Sequence, residues 1–201
     1  CGAKILSEHE KFGTAKIEIN GFKIDLASTR SESYPKKGHL PHVDKIGCDL
    51  KDDVIRRDFT INSLALSLNK SDFAHLIDYV GGYEDLEAGK IKILHDESFV
   101  DDPTRIVRAL KFRARFGFEL DENTYKLQRA YLNNINYDMS EKRLKSEITQ
   151  TFEQNLQVAF DIFFEEEIYK LLSGQKIEKP QTNIETLVNK YDGKHPWLVY
   201  F

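Results

Sequence analysis

The chain has 201 residues, 40% hydrophobic and 31% charged, with 29 Lys and Arg against 33 Asp and Glu and a formal net charge of -4. This length suits one moderate globular domain or two small ones, and the charge balance excludes a uniformly cationic nucleic-acid coat while leaving room for local basic clusters. Two cysteines without paired spacing, Cys1 and Cys48, argue against a disulfide framework or zinc site and make a reducing, cytoplasmic setting the expectation, and with no bilayer-length apolar run or signal pattern visible no membrane partner is expected.

In chain order, Thr14 to Ile19 and Phe22 to Leu26 alternate in polarity around Asn20-Gly21, which predicts a β-hairpin. Phe22, Ile24 and Leu26 then share one face, and Lys23 and Asp25 the other. Residues 31–53 read as a long polar loop broken by Pro35 and Pro41, and such loops are usually functional or mobile. Phe59 to Leu66 reads as a buried helix or a helix–strand junction, Ile77 to Gly82 ends in a tight turn, Tyr83 to Glu87 is a short helix and Ile91 to Leu94 a short strand.

From Ser98 the pattern turns helical. Pro103 suits a first helical turn, Ile106, Val107, Leu110 and Ala114 make an apolar stripe, and Gly117 suits the stop. Amphipathic segments follow near 123–135, 140–153 and 156–173, with a last one near 183–191. The expected class is α+β: a small mixed or antiparallel sheet region over 1–97 followed by an all-α region over 98–201. The opening Cys1 and the apolar close at Trp197 to Phe201 read as cut ends, so a fragment is expected.

Arg105, Arg108, Phe112 and Arg115 form a stripe opposite the apolar one, and Asp102 and Arg105, three apart, can face one cleft. A carboxylate beside a guanidinium can accept from the amino group of cytosine or adenine while donating to its ring nitrogen; uracil and guanine present the reverse polarity. The bland alternative is a helix-capping Asp102 and an Arg105 paired with Asp101. Arg56, Arg57 and Asp58 can grip phosphate or ribose, or form a surface ion pair. Asp25 sits on the polar face of a strand, and one carboxylate alone cannot hold two cations roughly 4 Å apart. No lysine follows Gly81-Gly82 in P-loop fashion, and the histidines lack zinc-ligand spacing.

Taken together, His9 to Thr14, Ile24 to Arg30, Arg56 to Asn62, Asp78 to Leu86, Asp101 to Ala109 and the weaker Ser140 to Glu147 resemble the class II tRNA nucleotidyltransferase and poly(A) polymerase family. The resemblance covers roughly residues 8–155. It implies the C-terminal part of a nucleotidyltransferase head over 1–97 and an incomplete helical neck and RNA-binding region over 98–201. It implies an enzyme adding C, A or both from CTP and ATP to the tRNA 3′ end, with Mg2+ as cofactor. Asp25 resembles the third metal-site carboxylate, Arg57 and Asp58 the ribose- and phosphate-contacting motif, and Asn62 its support. Residues 78–85 resemble the hinge between nucleotide states, Asp102 and Arg105 the base-selecting pair, and Arg108 a second basic contact. The chain departs from the family at Asp101, where glutamate is usual, and in lacking the Gly-Gly-x-x-Arg-Asp and Asp-x-Asp motifs. Residues 1–201 alone are therefore expected to bind nucleotide poorly and not to catalyse. The alternative is a non-catalytic RNA- or nucleotide-binding module derived from the same fold.

Overall fold

The computed structural model describes residues 2–153, 156–179, 183, 184, 186 and 190. An antiparallel sheet opens the chain, in the order β1 (Lys4–His9), β2 (Thr14–Ile19), β3 (Phe22–Ala27). The β2–β3 turn is the predicted one: Asn20 and Gly21 take φ of 49° and 81°, the positive values a two-residue hairpin with right-handed strand twist requires. Its register sets Ile19 opposite Phe22, Ile17 opposite Ile24 and Lys16 opposite Asp25. Phe22, Ile24 and Leu26 remain exposed, so no described element covers that apolar face.

Residues 31–53 are not the loop that their polarity suggested. β4 (Arg30–Ser33) pairs antiparallel with β5 (His42–Ile46), and α1 (Leu50–Ile55) follows. The hairpin escaped the hydrophobic pattern because its buried groups are ionic: Glu32, with a side chain only 3% exposed, bridges Arg30 and Arg56. The turn between β4 and β5 is tied to later helices. Gly38 donates its N–H to Asp101 O and accepts from Ser140 N. Its φ is 77°, and a Cβ there would meet Asp138 O at 2.9 Å, so only glycine fits this crossing.

A 3₁₀ turn (Thr60–Asn62) and the two-residue β6 (Ala65–Leu66) occupy the stretch that reads as a buried helix or junction, and β6 pairs antiparallel with β7 (Leu76–Ile77). The Asp78 carboxylate accepts the N–H groups of Val80, Gly82 and Tyr83 and so opens α2 (Gly82–Glu87). β8 (Lys90–Ile91) runs parallel to β9 (Glu119–Leu120), a long-range pairing with no local signature.

From Ser98 the elements are α3 (Ser98–Asp101), α4 (Thr104–Phe116), α5 (Glu122–Leu132), α6 (Glu141–Phe152), α7 (Leu156–Glu165) and a 3₁₀ turn (Ile168–Leu171), with β9 between α4 and α5. Pro103 immediately precedes α4, and Gly117 ends it at φ 71° with its N–H on Arg113 O, as the sequence predicted. The stripe of Ile106, Val107, Leu110 and Ala114 is buried, and it shares one core with Phe59, Ile91, Ile93, Leu144, Ile148 and Phe160. The helix expected near 183–191 and the apolar close at 197–201 lie largely outside the described residues. Among the described residues no helix is long and apolar enough to cross a membrane.

Candidate functional site

A cleft of about 670 Å³ opens where the β4–β5 hairpin, the segment after α1 and the start of α4 meet. Phe12 and Ala27 form its edge toward the first sheet, and Arg143 and Glu147 of α6 form the opposite edge. Six arginines line it (Arg30, Arg56, Arg57, Arg105, Arg108, Arg143) against four carboxylates (Glu32, Asp58, Asp102, Glu147). The chain is acidic overall, yet this cleft carries a local cationic surplus, as an anion-binding site needs.

Most of these charges are already spoken for. Asp53, buried behind the cleft, accepts from Arg30 N at 2.9 Å, Arg56 Nη2 at 2.6 Å and Arg57 Nη2 at 2.8 Å. Burial pushes its carboxyl up, but the hydrogen bonds from Arg56, Arg30 and Arg57 outweigh this and hold it below the usual aspartate value. Arg57 keeps a 42% exposed side chain and also reaches Asn62 O at 3.3 Å. Asp58 accepts from Phe59 N at 2.9 Å, Asn62 Nδ2 at 3.1 Å and Arg108 Nη2 at 2.6 Å. Asn62 therefore orients Asp58, which orients Arg108. Burial works against the Arg108 charge, but Asp58 and then Glu147 more than offset it, raising its pKa.

The pair at the start of α4 behaves differently. Asp102 is 4% exposed; its Oδ1 accepts from Thr104 N and Oγ1 at 3.2 and 2.6 Å, and its Oδ2 from Arg143 Nη2 at 2.5 Å. Arg105 is also 4% exposed, and its partners are uncharged acceptors: Ser98 Oγ at 2.7 Å, Arg56 O at 3.0 Å, Tyr34 Oη at 3.3 Å and His95 Nε2 at 3.4 Å. Burial, then the Arg105 charge, push the His95 pKa down, which favours the neutral ring that can accept from a guanidinium. Burial likewise raises the Tyr34 hydroxyl pKa. Arg105 is thus a buried cation held by dipoles. Its two shortest bonds fix the plane of the guanidinium, and its two longest, to Tyr34 and His95, are those an incoming acceptor can most easily replace. The bland alternative for Arg105 does not hold, because Asp101 pairs with Lys37 instead. Asp102 does satisfy the start of α4, and it lines the cleft as well.

Asp25 stands apart. Its side chain is 79% exposed and lies 3.2 Å from Lys16 across the β2–β3 pair. It shares a strand face with Ala27 at the cleft edge, about 7 Å away along β3. Among the described residues no three His, Cys, Asp or Glu side chains converge as a metal site. The structure thus gathers Arg57, Asp58, Asn62, Asp102, Arg105 and Arg108 around one cleft and leaves Asp25 outside it. Residues 78–85 pack behind Asn62: Thr60 Oγ1 donates to Asp85 Oδ2 at 2.7 Å, and a Cβ on Gly82 would lie 2.2 Å from Thr60 O.

Sequence reasoning missed Glu32, Tyr34, Asp53 and His95, and gave Arg143 and Glu147 no role. The last two had a signal: an i, i+4 pair on an amphipathic helix, whose shared face meets α4. Tyr34 and His95 are 71 and 10 residues from Arg105, and no local pattern connects them to it.

Residues 2–92 match the family model described as the poly A polymerase head domain. An A-adding tRNA nucleotidyltransferase of Aquifex aeolicus is 46% identical over 123 residues, which is 61% of this chain and 15% of that protein. A solved CCA-adding enzyme in an apo form superposes with a TM-score of 0.86 at 31% identity, covering 99% of this chain and 50% of that one. A solved tRNA-processing enzyme with CTP superposes at 0.74 and 31% identity, covering 94% of this chain and 50% of that one. The chain spans half or less of each of these relatives.

Proposed function

The chain belongs to the class II tRNA nucleotidyltransferase and poly(A) polymerase family, and from that premise we propose that it is part of a template-independent RNA nucleotidyltransferase. Its substrates are CTP, ATP or both, its acceptor is the tRNA 3′ end, and it works in the cytoplasm. Residues 1–97 are assigned to the C-terminal part of the catalytic head, and 98–201 to the neck and RNA-binding region. In the reaction, the RNA 3′-hydroxyl oxygen bonds to the α-phosphorus while the bond to the bridging oxygen breaks and pyrophosphate leaves.

The observation that carries this reading is Arg105: a buried guanidinium held by neutral acceptors beside a buried carboxylate, in an arginine-rich cleft. In the proposed complex Asp102 accepts from the amino group of cytosine or adenine, and Arg105 donates to the adjacent ring nitrogen. Arg57 and Arg108, the latter aimed by Asp58, face the ribose and triphosphate. Transfer of this kind uses divalent ions held by gathered carboxylates, and a lone, lysine-paired Asp25 does not fit that requirement. The described residues therefore do not make a two-ion site. We assign Asp25 as one ligand of Mg2+, and no set of partner carboxylates converges with it among the described residues.

The single candidate carboxylate also favours the second reading, a nucleotide- or RNA-binding module without catalysis. The two separate in one experiment on the full-length protein: incubation of a tRNA shortened at its 3′ end with each nucleoside triphosphate. Addition of C or A, but not U or G, is expected. RNA and CTP binding without any addition would overturn the enzyme reading in favour of the module.

A further inference from the structure

Leading out of the nucleotide cleft, α4 carries two neighbouring rings flanked by cations, of which only Arg108 has a part in the proposed reaction. Arg108 Cζ lies 5.9 Å from the Phe112 ring centroid. The Phe112 and Phe116 rings are nearly parallel, at 9° with centroids 6.0 Å apart. Arg115 Cζ lies 5.0 Å from the Phe116 centroid. The inner end is anchored, because Phe112 lines the cleft and meets the buried Phe59 edge-on at 5.9 Å. At the outer end Phe116 meets the Phe118 ring at 5.6 Å and 40°, yet it stays 48% exposed, and Arg115 is exposed too.

Phe116 keeps nearly half its surface in water beside the Arg115 guanidinium. Flat rings edged by arginines suit unpaired nucleobases, which stack on aromatic faces while the cations attract the phosphates between them. Peptides and lipids lack this combination of a planar π-face and an anion at each repeat. Bases within a duplex keep their faces covered and cannot use it. The ladder is continuous with the cleft through Phe112, so a strand entering the cleft along α4 meets Phe116 first.

We propose that the Phe112–Phe116 ladder, flanked by Arg108 and Arg115, is a stacking track for the unpaired 3′ segment of an RNA. The surface rests on the reading given above for its acceptor, but it has its own readout. In the full-length protein, the affinity of a labelled single-stranded oligoribonucleotide of C and A is measured for wild type, Phe116→Leu and Phe116→Tyr, with the same sequence as a duplex for comparison. Phe116→Leu keeps apolar packing but loses the π-face, so about tenfold weaker single-strand binding is expected. Phe116→Tyr should restore binding, while duplex affinity and the KM for CTP and ATP stay unchanged. Wild-type single-strand affinity in Phe116→Leu would overturn the track. So would an equal loss for duplex and CTP, since that would mark a general disturbance of α4. If the wild-type protein adds no nucleotide but Phe116→Leu still loses the oligonucleotide, the enzyme reading fails and the track stands.

Discussion

Replacing Arg105 with lysine isolates the geometric part of the base-reading claim, because it keeps the charge and removes the fork. The guanidinium spans Ser98 Oγ and Arg56 O at 2.7 and 3.0 Å while presenting its remaining donors toward Tyr34, His95 and the cleft. An ammonium is a point donor on a flexible stem and cannot hold both anchors and also face a base. Losing one hydrogen bond from a charged donor to the ring nitrogen costs about 2 kcal/mol, or about 30-fold in kcat/KM. Leaving Ser98 Oγ or Arg56 O unpaired in a buried site adds about 1–3 kcal/mol of lost stability, which for a chain of this size lowers the melting midpoint by about 2–12 °C. The assay is steady-state addition of C and of A to a shortened tRNA by the full-length protein, run well below both midpoints, with misincorporation of U and G measured in parallel. Arg105→Ala should lower incorporation of both bases further. Unchanged rate and unchanged selectivity in Arg105→Lys would refute the argument that a fixed fork reads the base.

Asp25→Ala in the full-length enzyme should largely abolish turnover while shifting the melting midpoint little, since the side chain is exposed and its one ion pair is with a half-exposed lysine; a fully active variant would remove Asp25 from the ligand set. Gly82→Ala places a Cβ 2.2 Å from Thr60 O, a backbone atom that cannot step aside, so a loss of about 3 kcal/mol is expected in chemical denaturation, and a wild-type midpoint would count against the close approach. Asp53 has a folded pKa below its unfolded value of 3.8, so its contribution is complete above that value and is lost as pH falls through the folded pKa. Acid unfolding of the wild type should show this loss. Asp53→Asn, which leaves Arg30 and Arg56 with Glu32 as their remaining carboxylate and Arg57 partly in solvent, should cost about 1–3 kcal/mol already at neutral pH and flatten the acid limb; a limb as steep as wild type would refute the assignment.

The elements that could be read locally are those whose folding is local. The Asn20-Gly21 hairpin follows from turn stereochemistry, and α4 follows from one apolar stripe, a proline before it and a glycine after it. The β4–β5 hairpin has the polarity of a loop because ion pairs, not apolar side chains, fill its inner side, and a hydrophobic period cannot register a strand held by Arg30, Glu32 and Arg56.

Residue identity and spacing were enough to place Asp102 and Arg105 on one helix entrance and to mark Arg57 and Asp58 as candidates, while Asn62 and the role of Arg108 came from the family resemblance alone. They left open which cations keep their charge available, because that depends on partners far along the chain. Tertiary packing matches Arg57 with Asp53, Arg108 with Asp58 and Glu147, and Asp102 with Arg143, while among the described residues Arg105 is held by the neutral groups of Ser98, Arg56, Tyr34 and His95 and lies 5.8 Å from the Tyr34 ring centroid. A charge in a low-dielectric cleft is defined by what neutralises it, and those neutralising groups meet only when the hairpin, α1, α4 and α6 come together.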